Sequence, residues 1–218
     1  MSEQTVQLGS LRPRLADDER LHLQRRARQL AWGGIAWHVI EFAIALAAGI
    51  AAGSIALVAF GADSLIEALA GFVVLWLFTG SRVESVSAER RAQQLIAGSF
   101  FVLAVYVTVE SVRTLLGGGH PEVSWVGIGL AVFTAVTMPV LAAAKRRVGH
   151  KLNSSATVKE ASQTQICAYL SVALLVGLLA NALAGWWWAD PLAALFIAGV
   201  AAREGRQAWR GEGCCEFC

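Results

Sequence analysis

Apolar stretches of about 20 residues, the length at which a helix crosses a hydrocarbon core of ~30 Å, recur along this chain. Six are present, near Leu30 to Ala52, Ser54 to Phe78, Gln94 to Leu116, Trp125 to Ala144, Ala161 to Ala184 and Ala189 to Ala202. Composition excludes the alternative of a soluble globule, since 56% of the residues are hydrophobic and only 16% charged. An ordinary soluble domain is roughly a quarter charged. The expected fold class is an all-α membrane protein with six transmembrane helices. The sixth stretch is the shortest, being cut at Arg203 and Glu204. Asp190 followed by Pro191 reads as an N-cap and first helical position, and Arg203 can carry its charged head to the interface on its aliphatic stem.

The placement of basic residues sets the expected orientation, because short loops rich in Lys and Arg stay in the cytoplasm. Of the 18 Lys and Arg, all but Arg113 fall before the first stretch, after the second, after the fourth or after the sixth. Both termini are therefore expected in the cytoplasm, with Trp186, Trp187 and Trp188 at the outer interface. The chain divides into a cytosolic segment 1–29, a six-helix domain 30–205 and a cytosolic Cys-rich tail 206–218. The first thirty residues lack the apolar core of a signal peptide. A basic inner face suits a bacterial inner membrane. A net charge of +2 without a basic stripe and interleaved aromatics excludes nucleic acid as a partner.

Polar residues inside the apolar stretches carry the functional signal. Asp63 and Glu67 lie four residues apart on one face of the second stretch. A single Asp at the centre of a span costs about 2.5–3.5 kcal/mol, so two acids on one face require a partner, a proton or water. In the fifth stretch Gln163 and Cys167 repeat the four-residue step. Alone, Cys167 reads as a small buried apolar residue and Gln163 as an interhelical hydrogen bonder. Together with the acidic pair they form a mixed oxygen and sulfur set that suits a borderline divalent cation better than Mg²⁺. Glu160, three residues before Gln163, shares its face and is an alternate ligand. His38 and Glu41, three apart in the first stretch, are candidates for a proton pathway. Glu110 and Arg113 are expected to pair with each other, and Asn181 to join helices.

The tail ends in Cys214, Cys215 and Cys218. Thiols at this density in the cytosol bind metal or cycle redox more readily than they form lasting disulfides. Three thiols close a tetrahedral site only with a fourth ligand; a disordered tail without a role of its own is the alternative.

The segments GSIALVAFGADSLIEALAG, KEASQTQICAYL and NALAGWWWADPLAAL together resemble the membrane domain of the cation diffusion facilitator family. The resemblance spans roughly residues 30 to 205. It implies a six-helix antiporter, usually dimeric, that exchanges protons for Zn²⁺ or a related cation. In that family the transport site uses two acidic or polar side chains four apart on the second helix and a matching pair, commonly His and Asp, on the fifth. Asp63 and Glu67 match the former; Gln163 and Cys167 occupy the latter with altered identities. Family members typically continue into a cytosolic metal-binding domain, so a short form is expected.

The function expected from these observations is proton-coupled export of a divalent transition metal, Zn²⁺ foremost, with Cd²⁺, Co²⁺, Ni²⁺ and Fe²⁺ as further substrates. No tightly bound cofactor and no enzymatic activity are expected. The expected partners are the metal ion, protons, the lipid bilayer and a second copy of the chain. The alternative is a membrane metal-binding or regulatory protein that holds the ion without moving it.

Overall fold

The computed structural model describes residues 17–77, 86–117, 119–152 and 154–210, and the regular structure among them is helical throughout. Six helices follow in order: α1 (Asp17–Ala52), α2 (Ile55–Leu77), α3 (Val86–Gly117), α4 (Trp125–Leu152), α5 (Ser155–Ala184) and α6 (Ala189–Arg210). Five of them contain segments long and apolar enough to cross a membrane: Leu21–Ala52, Ile55–Phe72, Gln94–Gly117, Trp125–Leu152 and Glu160–Ala184. α6 falls outside this group because Arg203, Glu204, Arg206 and Arg210 occupy its second half.

Helices and apolar stretches do not share boundaries. α1 begins at Asp17, well before the apolar onset at Leu30, so the basic run around Arg25, Arg26 and Arg28 is helical. α4 likewise continues through Lys145, Arg146 and Arg147 to Leu152. Hydropathy marks where a helix meets lipid, whereas backbone hydrogen bonding carries the helix beyond that edge.

Two helical hairpins share one geometry. At the α1–α2 turn, the Ser54 N–H donates to Gly49 O at 2.9 Å and the Val58 N–H to Ser54 O at 3.2 Å. At the α4–α5 turn, Ser154 N–H donates to Gly149 O at 3.0 Å and Val158 N–H to Ser154 O at 3.2 Å. A Cβ on Gly49 would lie 2.9 Å from the Val58 backbone nitrogen, and one on Gly149 would lie 3.0 Å from that of Val158. Glycine at each position therefore permits the closest approach of the two arms. The turn at Gly53 has φ 63°, a conformation in which any Cβ is strained. Because three helices, α2, α3 and α4, separate the two turns, the hairpins point toward opposite ends of the bundle. Their matching registers place Asp63 and Glu67 on α2 at the same distance from the turn as Gln163 and Cys167 on α5.

The end of the bundle holding the α1–α2 turn also gathers the α3–α4 and α5–α6 connections. Glu122 N–H donates to Ala52 O at 2.8 Å, and Asn181 Nδ2 donates to Pro121 O at 2.9 Å, tying α5 to the α3–α4 connection. Asp190, read from sequence as the cap of its own helix, instead serves α2. Its carboxylate accepts from the Ser54 hydroxyl and from the Ala56 backbone N–H, while Ser54 Oγ accepts from Leu57 N–H at 3.1 Å. Both Ser54 and Asp190 are buried. Asp190→Ala is therefore expected to lower the unfolding free energy in detergent by about 1–3 kcal/mol, by orphaning buried donors at the start of α2. A denaturant titration of the two proteins checks the difference.

α1 packs most extensively on α2, α4 on α5 and α3 on α6, with further contact between α1 and α4. α2 touches α1, α3, α5 and α6, which places its polar face at the centre of the molecule. Phe60, Leu57, Phe100, Leu170, Leu174 and Ile197 fill the apolar interior around it.

Candidate metal centre

The α1–α2 register brings the first polar pair against the second. A Cβ on Gly61 would lie 3.1 Å from Ala45 Cβ, and one on Gly71 would lie 3.2 Å from Ile35 Cγ1. Between these close approaches, His38 of α1 faces Glu67 of α2, with Nε2 3.5 Å from Oε2. The other imidazole nitrogen, Nδ1, is 3.2 Å from Glu41 Oε2. His38 thus bridges two carboxylates from different helices.

Glu41 is fully enclosed and held from three sides. Thr134 of α4 donates its hydroxyl to Oε1. The Ser64 hydroxyl of α2 lies 2.9 Å from Oε2, and the Cys167 thiol of α5 lies 3.9 Å from the same oxygen. Hydroxyls of α2 and α4 and the thiol of α5 thus converge on its two oxygens. Trp37 and Phe133, with ring centroids 4.7 Å apart, pack α1 on α4 one turn away.

Cys167 is wholly buried and lies within reach of Glu67 as well as Glu41. One ligand atom from each of His38, Glu67 and Cys167 falls within 4.8 Å of the others, and all three side chains are buried. Glu67 Oε2 has no hydrogen-bond partner among the described residues. Asp63, one turn along α2, is buried at 3% exposure and lies within electrostatic range of Glu41 and of Glu204 on α6. Three acidic side chains therefore meet one imidazole and one thiol inside an apolar bundle. Oxygen, nitrogen and sulfur atoms from three helices thereby share one buried volume, a donor set able to hold a divalent cation.

The other sequence candidates have separate settings. Gln163 is half-buried one turn from Cys167 toward the α4–α5 turn. Glu160 accepts from Lys145 Nζ at 2.9 Å, and the same ammonium donates to Thr164 Oγ1 at 3.2 Å. Arg113 pairs with Glu110 at 2.7 Å, as their spacing predicts. Cys214, Cys215 and Cys218 lie outside the described residues.

Residues 33–210 match the family described as the cation efflux transmembrane domain. The chain belongs to the cation efflux family. It is also similar to a protein of Synechocystis sp. described as an uncharacterized transporter, with 25% identity over 181 residues. That match covers 79% of this chain and 58% of the relative, so the chain spans little more than half the relative's length. With five apolar helices of spanning length, this cation efflux chain is a multi-pass membrane protein. The site residues on α1, α2 and α5 all fall inside the matched region.

Sequence spacing finds the pair on α2 and the pair within α1, but leaves the contact between them unread. A usable signal exists. A tight reversal at Gly53 pairs residues equally distant from it, and His38 lies fifteen residues before and Glu67 fourteen after.

Proposed function

We propose that this protein exports a divalent transition-metal cation in exchange for protons, Zn²⁺ being the leading substrate. The observation that carries this reading is the gathering of Asp63, Glu67 and Cys167 with His38 in the buried centre of a membrane bundle. Ionisable groups there are expensive and mark an ion pathway unless fully paired. The mixed donors suit Zn²⁺, Cd²⁺ or Co²⁺, whereas Mg²⁺ prefers oxygen alone. Carboxylate and thiol ligands must lose protons to bind metal, so metal and protons compete for one set of atoms.

The proposed topology has six spans with both ends in the cytoplasm. α6 crosses with its apolar first half, packed on α3, and carries Arg203, Arg206 and Arg210 into the cytoplasmic layer. Lys145, Arg146, Arg147 and Lys151 at the end of α4 lie on the same side, consistent with the bias of basic residues toward the cytoplasm. The hairpins α1–α2 and α4–α5, pointing opposite ways around the site, provide two parts able to rock about it and expose it to either side.

The test is uptake into proteoliposomes under an imposed pH gradient, with internal indicators for Zn²⁺, Cd²⁺, Co²⁺, Ni²⁺ or Fe²⁺ and for protons. Metal movement opposite to proton movement is the expected result. Metal binding without flux would favour the non-transporting metal-binding protein instead.

A further inference from the structure

Resting on that reading, we infer that the cation site spans three helices, with the His38 imidazole of α1 supplying its nitrogen ligand beside Glu67 of α2 and Cys167 of α5. This assigns His38 to the ion itself.

Geometry carries the assignment. Metal–ligand bonds of about 2.0–2.3 Å imply ligand atoms roughly 3.3–3.7 Å apart around a tetrahedral ion. The 3.5 Å between His38 Nε2 and Glu67 Oε2 already has that length. The largest separation permitted within the three-residue cluster, 4.8 Å, exceeds it by a distance that small side-chain rotations close. Glu67 Oε2, buried and without a hydrogen-bond partner among the described residues, is the oxygen that faces His38. A buried acceptor without a hydrogen-bond donor calls for another partner, and a metal ion is one that this donor set can hold.

Support behind the imidazole points the same way. Metal-binding histidines characteristically give their second N–H to a carboxylate, which sets the tautomer and raises the basicity of the ligating nitrogen. Glu41 Oε2 lies 3.2 Å from Nδ1 of His38, where it can accept that N–H, and Nε2 is directed at Glu67. Thr134 and Ser64, from α4 and α2, hold Glu41 in turn. Glu41 is thus a positioning residue, fastened by two other helices and acting on the ion through His38. A fourth ligand position remains for Asp63 or water. Nitrogen, sulfur and oxygen together favour Zn²⁺, Cd²⁺ and Co²⁺ over Mg²⁺ and Ca²⁺.

Co²⁺ titration of the purified full chain in detergent tests the assignment, with Cys214, Cys215 and Cys218 replaced by Ser so that Cys167 remains as the thiol. A thiolate-to-Co²⁺ charge-transfer band and tetrahedral d–d bands are expected. His38→Ala and His38→Gln should each weaken binding by at least about tenfold and alter the d–d envelope. Glu41→Gln should weaken it by about 10–100-fold while keeping the charge-transfer band, the loss typical when the group behind a ligating histidine is removed. Gln163→Ala should change affinity less than about threefold. Co²⁺ bound by both His38 variants with native affinity and spectrum, or absence of the thiolate band in the parent protein, overturns the ligand set. Proteoliposome flux is read separately. Flux with an unaffected His38 variant removes the ligand set and leaves transport standing; His38-dependent binding without flux does the reverse.

Discussion

Glu67→Gln is expected to reduce metal-dependent flux by about 100-fold or more while leaving the protein as stable as the parent, or more stable. The carboxylate sits at 8% exposure in the bundle, with one oxygen that has no hydrogen-bond partner among the described residues. Holding a charge there costs several kcal/mol unless a partner compensates it. The amide removes that cost and keeps the shape, so stability should not fall. Binding should fall sharply, because a neutral amide replaces an anionic ligand of a dication. Losing about 2.7 kcal/mol of binding corresponds to about 100-fold in affinity. Loss of function without loss of stability is the signature of a residue retained for its chemistry at the expense of the fold. Flux in proteoliposomes and a denaturant titration in detergent measure the two quantities on the same preparation. A variant that loses more than about 1 kcal/mol of stability yet still transports would make Glu67 a structural tie between α1 and α2.

The same contrast shows what could be read in the sequence. Apolar stretches in the sequence mark all six helices, five of which are of spanning length, and the spacing of Asp63 to Glu67 and of Gln163 to Cys167 places each pair on one helix face. The charged ends of α1 and α4 are hidden from that reading, since they are helical but not apolar. Asp190 shows a second limit. The dipeptide with Pro191 correctly marks a helix start, but a carboxylate at one helix end also reaches a neighbouring helix, and only packing shows that its donors are Ser54 and Ala56. His38 shows a third. Its pairing with Glu41 follows from helical spacing, yet its meeting with Glu67 depends on the rotation of α1 against α2, set by the small residues Ala45 and Gly61 where the two backbones come close. Cys167 joins them through the packing of α5 on α2, which no local pattern encodes.

Hairpin register explains the remaining buried charge, and yields the prediction with the most asymmetric outcome. Gly149 opposite Val158 brings Lys145 of α4 against Glu160 of α5. Lys145 is buried, its ammonium lying beside Gly34 of α1, where a Cβ would come within 2.9 Å of Nζ. Glu160 keeps 27% of its side chain exposed. Breaking the pair from the two ends should therefore have different consequences. Glu160→Gln leaves an ammonium enclosed without its counter-charge and should cost about 3 kcal/mol, the penalty typical of a buried ion stripped of its partner. Lys145→Met leaves a carboxylate that reaches water and fills the stem's volume with a thioether, so the loss should stay within about 1 kcal/mol. The double variant should regain most of what Glu160→Gln loses, and a double-mutant cycle on unfolding free energies measures the coupling. Equal losses from the two single variants would show that water reaches both ends alike. Glu160, Thr164 and Cys167 follow one stripe of α5, so the clamp and the metal centre share a helix face without sharing residues. Co²⁺ affinity unchanged in Lys145→Met would show that the pair ties α4 to α5 without setting the position of Cys167.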